Sequence, residues 1–303
     1  MQITWLSDVA PRPRRVAVGE FDGVHLGHRA VIAGSDTVLT FEPHPLAVVR
    51  PEAAPKLLTS LELKAELIAG LGVEELIVVP FDDAFAHQSA QAFLDDVLLA
   101  RLGATHVSVG ENFRFGHGAK GDTALLRGDG RFEARVVPLV EIEGEIISSS
   151  HVRGLVAAGE VEPASRFLGG PFRIRGTVEH GEKRGRELGF PTANLAPDPE
   201  LVCPGHGVYA TRVTWEGAPG TYCGATNVGV RPTFETGLGV LIEAFVVDFD
   251  GDLYGRQLTV EFLRRLRGEQ RFESAEHLIE QMHRDVAVAR TVCAGDSATL
   301  PGR

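Results

Sequence analysis

The first half of the chain alternates short apolar runs with segments of helical periodicity. Apolar runs rich in β-branched residues predict strands, and five of them stand out: "RRVAVG", "TVLTF", "ELIVVPF", "HVSVG" and "ARVVPL". Between them, "SLELKAELIAGLG" and "SAQAFLDDVLLARLG" predict helices, the second with Ser89 as its N-cap and Gly103 just past its end. This alternation is typical of a parallel sheet with helices on its faces.

The second half has the pattern of antiparallel β-structure. From about residue 171, strand candidates follow one another between turns: "FRIRGTVEH", "GVYATRVTW", "TYCGATNVGV", "VLIEAFVVDF" and "QLTVEFL". Asp250 and Gly251 predict a two-residue hairpin turn, with residues 252–254 opening the returning strand. Such strands predict a small barrel. The closing segment "SAEHLIEQMHRDVAVAR" predicts a helix with one apolar face, formed by Leu278, Ile279, Met282 and Val286.

The change of pattern predicts two domains, residues 1–168 and 171–303. We expect an α/β domain with a parallel sheet, followed by a small antiparallel β-barrel domain with a C-terminal helix. Ligands of open α/β sheets gather beyond the carboxyl ends of the strands. Residues 19–28 and 110–116 both follow predicted strands, so we expect functional loops there.

Charge and cysteine content narrow the class of protein. The chain carries 30 Lys and Arg against 41 Asp and Glu, a net charge of −11, which argues against a general surface for nucleic acid or anionic membranes. Its three cysteines show no C-x-x-C spacing, so we expect reduced thiols, no disulfide, no structural zinc and a cytoplasmic location. No apolar signal-peptide core follows the start "MQITWLSDVAPRPRR", and no transmembrane run is found.

Two histidines follow the first predicted strand in "VAVGEFDGVHLGH". If a helix begins near Val24, its first amides form an anion site, and His25 and His28 lie on one face. Gly23 and Gly27 leave room for a polyphosphate to approach the backbone. The imidazoles can donate hydrogen bonds to phosphate oxygens or neutralise developing charge. The alternatives are a surface or capping pair, which is the commoner case for a bare H-x-x-H, and a zinc site.

Two further stretches carry oxygen ligands and donors. "ISSSHVR" places three hydroxyls and Arg153 at a predicted helix start, which suits a triphosphate, although an ordinary N-cap run has the same pattern. In "GFPTAN", Thr192 and Asn194 offer the hard oxygens that Mg²⁺ prefers. A proline turn with an Asx cap is the alternative. Glu243 lies in an alternating run, where the pattern alone favours an exposed strand residue.

Taken together, these stretches carry a family resemblance. "GEFDGVHLGH" resembles the nucleotide-binding signature of the adenylyltransferase module in bacterial bifunctional riboflavin kinase/FAD synthetases, a branch of the H-x-G-H nucleotidyltransferases. The resemblance continues, in the family's order, through "TFEPHP", "GENFRFG" and "ISSSHVR". The second half is similar to the flavokinase module through "RGRELGFPTAN", "GVYA", "NVGVRPTF" and "IEAFVVDFDGDLYG". Nearly the whole chain is covered.

For the first domain, the resemblance implies a Rossmann-like FMN adenylyltransferase. His25, His28 and Arg153 would be catalytic, and Asn112 would line the nucleotide and flavin pocket. The family usually has threonine and arginine where this chain has Ser150 and His151; the hydroxyl is kept, and His151 has no assigned role. The remaining residues that would bind ATP are Gly19, Asp22, Gly23, Gly27, Ser148, Ser149 and Ser150.

For the second domain, the resemblance implies a riboflavin kinase. Thr192 and Asn194 would bind Mg·ATP, and a flap containing Gly181 and Arg184 would cover the phosphates. Glu243 would be the general base that takes the proton of the riboflavin 5′-hydroxyl.

The expected function is a cytoplasmic two-step synthesis of flavin cofactors. Riboflavin, ATP and Mg²⁺ give FMN, and FMN with a second ATP gives FAD and pyrophosphate, with no nucleic-acid or membrane partner. One departure concerns the eleven residues between His28 and Thr40, which leave about two helical turns where the family usually has more. The alternatives are a kinase whose first half is weakened or altered in specificity, and a non-catalytic flavin-binding regulator.

Overall fold

A computed structural model describes residues 1–180, 189–233 and 237–297. The chain divides into two compact units, residues 1–149 and 150–303. Residues 150–168 therefore group with the second unit, about twenty residues before the boundary expected from the sequence. The functional boundary at residues 168–171 stays a prediction. No helix within the described residues is long and apolar enough to cross a membrane.

The first unit contains a six-stranded parallel sheet in the order β1-β4-β3-β2-β5-β6. The five predicted strands are confirmed. The edge strand β1 was missed, because its four residues are too few to show a clear alternation. The strands are β1 Gln2–Trp5, β2 Arg14–Val18, β3 Thr37–Glu42, β4 Glu75–Pro80, β5 Ala104–Gly110 and β6 Glu133–Val137, followed by a two-stranded β7 Glu141–Ile142 and β8 Glu145–Ile146.

Helices flank this sheet and bury both of its faces. Val16 and Val18 of β2 pack on one face with Leu98, whereas Ala17 packs on the other with Ile32. The helices are α1 Leu26–Ile32, α2 Pro45–Val49, α3 Leu61–Ala69, α4 Asp83–Ala86, α5 Ala90–Ala92, which continues as a π-helix Phe93–Arg101, and α6 Thr123–Gly128, with 3₁₀ turns at Leu6–Asp8, Pro51–Ala53 and His117–Ala119.

The predicted ends of the long helical segment between β4 and β5 are confirmed. The Ser89 hydroxyl accepts a hydrogen bond from the Ala92 amide at 3.0 Å, as an N-cap does. Gly103 follows the last turn with φ of +65°, the left-handed conformation that glycine adopts without a Cβ penalty.

The second unit is a closed six-stranded barrel in the order β10-β13-β12-β11-β14-β9, which confirms the predicted architecture. Two helices precede it, α7 Ser149–Ala158 and α8 Val161–Leu168, and a C-terminal helix, Ala275–Ser297, follows it. The strands are β9 Phe172–Glu179, β10 Thr192–Ala196, β11 Gly207–Trp215, β12 Tyr222–Thr233, β13 Gly237–Val246 and β14 Gln257–Arg267.

The hairpin predicted at Asp250 and Gly251 is wrong. β13 ends at Val246 and β14 begins at Gln257, so residues 252–254 belong to the connection. The two strands are not neighbours either, since β13 pairs with β10 and β12, while β14 pairs with β9 and β11. A D-G dipeptide reports a local turn, but barrel closure decides which strands pair. The short strand β10, which begins directly after Pro191, was missed.

The expectation of unpaired cysteines is also wrong. Cys223 on β12 and Cys293 on the C-terminal helix form a disulfide, with Cα atoms 5.9 Å apart. The two residues are 70 positions apart in sequence, and only the packing of the helix against the barrel brings them together. The cytoplasmic assignment therefore loses the support that it took from reduced thiols.

A buried ion pair joins the C-terminal helix to the barrel. Arg267 Nη2 of β14 lies 2.9 Å from Asp285 Oδ2, and Gln281 donates a hydrogen bond to the same carboxylate at 2.8 Å. Asp285 is only 6% exposed. It lies among Leu278 and Met282 on the face that the sequence predicted to be apolar, so this face carries one paired charge.

We expect Asp285→Ala to lower the free energy of unfolding of the second unit by about 3 kcal/mol, because Arg267 keeps a charge that has lost its partner. Thermal and urea unfolding measure the effect. Glu280→Ala is the matched control on the same helix, since the Glu280–Arg284 pair is exposed and contributes about 0.5 kcal/mol or less. Equal losses in the two variants would contradict the prediction.

Candidate active sites

The loop between β2 and α1 has an unusual backbone. Phe21 and Val24 have φ of +51° and +43°, a region that non-glycine residues adopt rarely and β-branched residues hardly at all. Both side chains are buried, so the core holds the backbone in this conformation. Backbone strain of this kind persists only where the surroundings enforce it, and it clusters at functional sites.

Asp22 anchors this loop to the segment that leads into α3. Its Oδ1 accepts hydrogen bonds from the amides of Leu58 and Thr59 at 2.8 and 3.1 Å. The Thr59 hydroxyl in turn accepts from the Gly23 amide at 3.2 Å, and the Ser149 hydroxyl donates to the Asp22 carbonyl at 3.0 Å. The Asp22 carboxylate is thus engaged with backbone donors and holds this loop in position.

His25 and His28 lie face to face at the start of α1. The helix begins at Leu26, two residues later than predicted, and His25 is its N-cap. The His25 Nδ1 accepts a hydrogen bond from the His28 amide at 3.2 Å, and the two rings stack with centroids 3.5 Å apart. The capping alternative is therefore realised for His25. Because Nδ1 accepts this hydrogen bond, the ring proton is on Nε2, which can donate to a ligand.

Burial keeps both imidazoles neutral at neutral pH. It lowers the pKa of His25 to about 4 and holds the pKa of His28 well below its usual range, with the charges of His25 and Lys64 acting in the same direction. The His28 Nδ1 is buried and has no hydrogen-bond partner within the described residues. The pair is therefore suited to donate hydrogen bonds to an anion rather than to supply positive charge.

Gly27 has a packing role that the sequence did not reveal. A Cβ at this position would lie 3.2 Å from the Cε1 and Nδ1 atoms of His25. A side chain here would require the His25 ring to shift by a few tenths of an ångström from its capping position. Similarly, a Cβ at Gly19 would lie 3.0 Å from the ring of Phe21. Both glycines make room for side chains of the loop itself.

Two ionisable residues were missed, Glu20 in this loop and Lys64 on α3. Lys64 of α3 is 4% exposed, and burial raises the pKa of Glu20 to about 8. A signal for Lys64 was present in the sequence, since it falls within the stripe Leu61, Lys64, Ala65 and Ile68, whose spacing marks a buried helix face. A lysine at such a position is expected to have a specific reason for being buried.

The other residues predicted for the first reaction lie in two places. Asn112 is exposed in the turn after β5, on the carboxyl edge of the sheet, while Phe115 is buried and stacks with Phe113. Ser148 and Ser149 end the first unit, whereas Ser150 and Arg153 belong to the second. The assignment of these residues to the ATP phosphates stays a prediction.

His151, which had no assigned role, has an aromatic neighbour in the second unit. Its ring packs edge-on against Phe167 of α8 at a centroid distance of 4.9 Å.

The residues predicted for the second reaction meet on the outer surface of the barrel. Glu243 of β13 lies directly opposite Asn194 of β10, and Thr192 is two residues before Asn194, on the same face. The alternate residues of these strands, including Ala193 and Ala244, are buried in the barrel interior. Strand register therefore brings Thr192, Asn194 and Glu243 together, within reach of one substrate.

Asn227 of β12 completes this group and was missed. It lies opposite Glu243 on the other side of β13, and its Nδ2 is 3.5 Å from the Glu243 Oε2. Asparagine is uncommon in strand interiors, so its position inside "TNVGV" was an available signal. Gly181 and Arg184 lie outside the described residues.

Comparison with known families decides the class of protein. The riboflavin kinase family profile matches residues 168–293, and the FAD synthetase profile matches residues 8–151. The chain belongs to the bifunctional riboflavin kinase/FMN adenylyltransferase family. It therefore phosphorylates riboflavin to FMN and adenylylates FMN to FAD, and the alternative of a non-catalytic regulator is set aside.

Curated bifunctional riboflavin kinase/FMN adenylyltransferases are similar along most of their length. The enzyme from Listeria monocytogenes is 39% identical over 285 residues, covering 89% of each chain. The Pseudomonas fluorescens enzyme is 39% identical over 91% of this chain and 92% of its own, and that of Escherichia coli is 38% identical over 91% of each. Both halves of the family's architecture are thus present.

One solved structure shares the fold. It is titled as a macrolide-efflux protein from Streptococcus pneumoniae, and it aligns with a TM-score of 0.86 and 29% identity over 96% of this chain and 99% of its own. That title describes the other protein, and both matched families here are flavin-synthesising.

We expect Gly27→Ala to reduce FAD formation from supplied FMN by about tenfold or more, because the new Cβ displaces the His25 ring on which donor geometry depends. FMN formation from riboflavin, measured on the same sample by chromatography, should not change. Gly128→Ala is the matched control, since a Cβ there meets no atom within 4 Å. Full FAD synthesis by Gly27→Ala would show that the position of the ring is not critical.

Proposed function

We propose that the two reactions use two separate groups of residues, one in each unit. The observation that carries the kinase assignment is the register that sets Glu243 between Asn194 and Asn227. The observation that carries the adenylyltransferase assignment is the stacked, neutral pair of His25 and His28 at the carboxyl edge of the sheet. ATP is the phosphoryl donor in one reaction and the adenylyl donor in the other.

In the kinase, Glu243 acts as the general base. Its carboxylate takes the proton of the riboflavin 5′-hydroxyl while the hydroxyl oxygen attacks the γ-phosphorus of ATP, and ADP leaves. Asn227, whose amide nitrogen lies 3.5 Å from the Glu243 carboxylate, orients that carboxylate. A well-placed base of this kind contributes about 10²–10⁴-fold to the rate.

The side chains beside Glu243 fit a magnesium ion. Thr192 and Asn194 offer uncharged hard oxygens on one face of the barrel, and these suit Mg²⁺ when phosphates and water supply the remaining ligands. When bound, the ion neutralises charge on the ATP phosphates.

In the adenylyltransferase, the protein holds phosphates in place and forms no covalent intermediate. An FMN phosphate oxygen attacks the α-phosphorus of ATP, and pyrophosphate leaves. The His25 Nε2 and the His28 ring donate hydrogen bonds to the phosphates. Positioning and stabilisation of developing charge dominate the catalysis of such transfers.

Two finer assignments follow from the proposed sites. Both reactions consume ATP, so we place the enzyme in the cytoplasm, where ATP is made available.

The helix α1 spans the seven residues Leu26–Ile32, which confirms the expected two turns. We therefore propose a looser ATP site in the first unit, with a KM for ATP above that of the kinase.

We expect His28→Ala to lower the rate of FAD formation by about 10²–10³-fold, because a donor to developing charge is lost. FMN formation by the same preparation should stay near normal. His87→Ala, which alters an exposed histidine of the same unit, is the control. An unchanged FAD rate would return His28 to a purely structural role.

We expect Glu243→Gln to lower riboflavin phosphorylation by at least about 10²-fold, because the amide keeps the shape of the side chain but cannot accept the proton. Riboflavin binding, followed by flavin fluorescence, and FAD formation from supplied FMN should both be unaffected. Glu216→Gln changes an exposed acid in the turn after β11 and controls for charge. A kinase rate near that of the wild type would mean that another residue is the base.

A further inference from the structure

Lys64 is a buried cation with little compensation. Its side chain is 4% exposed, and its Nζ donates one hydrogen bond, to the Thr40 hydroxyl at 3.4 Å. Within the described residues it forms no ion pair. Burying an ammonium group without an acidic partner costs several kcal/mol. The charge itself therefore does not stabilise the fold. An uncharged methionine of similar length would fill the same space.

The Lys64 ammonium lies beneath the loop that carries His25 and His28. The Thr40 hydroxyl that binds it donates in turn to the Glu20 carbonyl at 3.1 Å, which places Nζ at the carboxyl ends of β2 and β3. Its charge is close enough to the His28 ring to lower the pKa of that histidine. Glu20 lies close enough to Lys64 to interact with its charge, and burial raises the pKa of Glu20 to about 8.

The anchoring of the loop fixes this arrangement. Asp22 binds the Leu58 and Thr59 amides, and Ser60 follows as the N-cap of α3, the helix that carries Lys64. The positions of the histidines and of Lys64 are thus linked through one short run of hydrogen bonds. Two neutral donors and one cation face the same edge of the sheet, and among the described residues the cation forms no ion pair.

We propose that Lys64 binds a phosphate oxygen of ATP in the adenylyltransferase reaction and stabilises the charge that develops on the departing pyrophosphate. This inference rests on the proposed phosphate-binding role of His25 and His28. A lysine ammonium is a compact point charge that suits a polyphosphate. Fixed positive charge in a site that excludes water is effective where negative charge grows during the reaction. The ligand supplies a counter-charge to a cation that forms no ion pair in the part of the chain that the structure describes.

The test compares Lys64→Met, Lys64→Gln and Lys64→Arg in the full-length enzyme, with Lys56→Met as an exposed control. FAD formation from supplied FMN is measured against ATP concentration, and FMN formation is measured as an internal reference. Thermal unfolding is followed with and without inorganic pyrophosphate. We expect Lys64→Met to lower kcat/KM for ATP by about 10²-fold and to abolish the rise in Tm that pyrophosphate gives the wild type. Lys64→Arg should restore part of the activity.

The direction of the Tm change without ligand separates a functional from a structural lysine. A functional, uncompensated charge predicts that Lys64→Met is as stable as the wild type or more stable, because a costly buried charge has been removed. A lower Tm with an intact response to pyrophosphate would overturn the proposal. So would an unchanged kcat/KM in a folded variant, or failure of both the Met and the Gln variant to fold.

His28→Ala distinguishes failure of this inference from failure of the site on which it rests. If His28→Ala loses the response to pyrophosphate and Lys64→Met keeps it, the site stands and the role of Lys64 is refuted. If both variants keep the response, the phosphate-binding role of the loop fails as well.

Discussion

The carboxylate of Asp22 is the constraint on which the first active site depends. The loop after β2 contains two non-glycine residues in the left-handed region, a conformation that a free chain would abandon. Hydrogen bonds from the Leu58 and Thr59 amides and the buried side chains of Phe21 and Val24 keep it in place. Only then can His25 cap α1 and stack on His28. The proposed anion site is therefore a tertiary feature, although its residues are nearly contiguous in sequence.

The second site depends on strand register instead of a loop. Alternation along β10, β12 and β13 sends apolar side chains into the barrel and polar ones outward. Pairing of three strands then sets Asn194, Glu243 and Asn227 side by side. A slip of one residue in β13 would turn Glu243 into the interior. Strand register thus sets where these polar residues lie, and the Asn227 amide adds a contact to the Glu243 carboxylate.

Sequence reasoning succeeded where the signal was local and failed where it was tertiary. Five of the six strands of the parallel sheet and the cap at Ser89 follow from short patterns, and the structure has them where predicted. The separation of β13 from β14 and the pairing of Cys223 with Cys293 depend on barrel closure and helix packing, which no local pattern encodes. Lys64 was missed for a different reason. Its spacing from Leu61, Ala65 and Ile68 places it on the buried face of α3, but the helix was predicted from its apolar residues alone.

The disulfide between Cys223 and Cys293 has a topological consequence for the kinase. It closes residues 223–293 into a covalent ring that contains Asn227, Glu243 and the whole of β13 and β14. A ring of this length has far fewer unfolded conformations than an open chain, whichever part of the barrel unfolds first. The C-terminal helix closes that ring through Cys293. Even if the helix unwinds, the disulfide keeps this segment covalently attached to Cys223, near the start of the strand that carries Asn227.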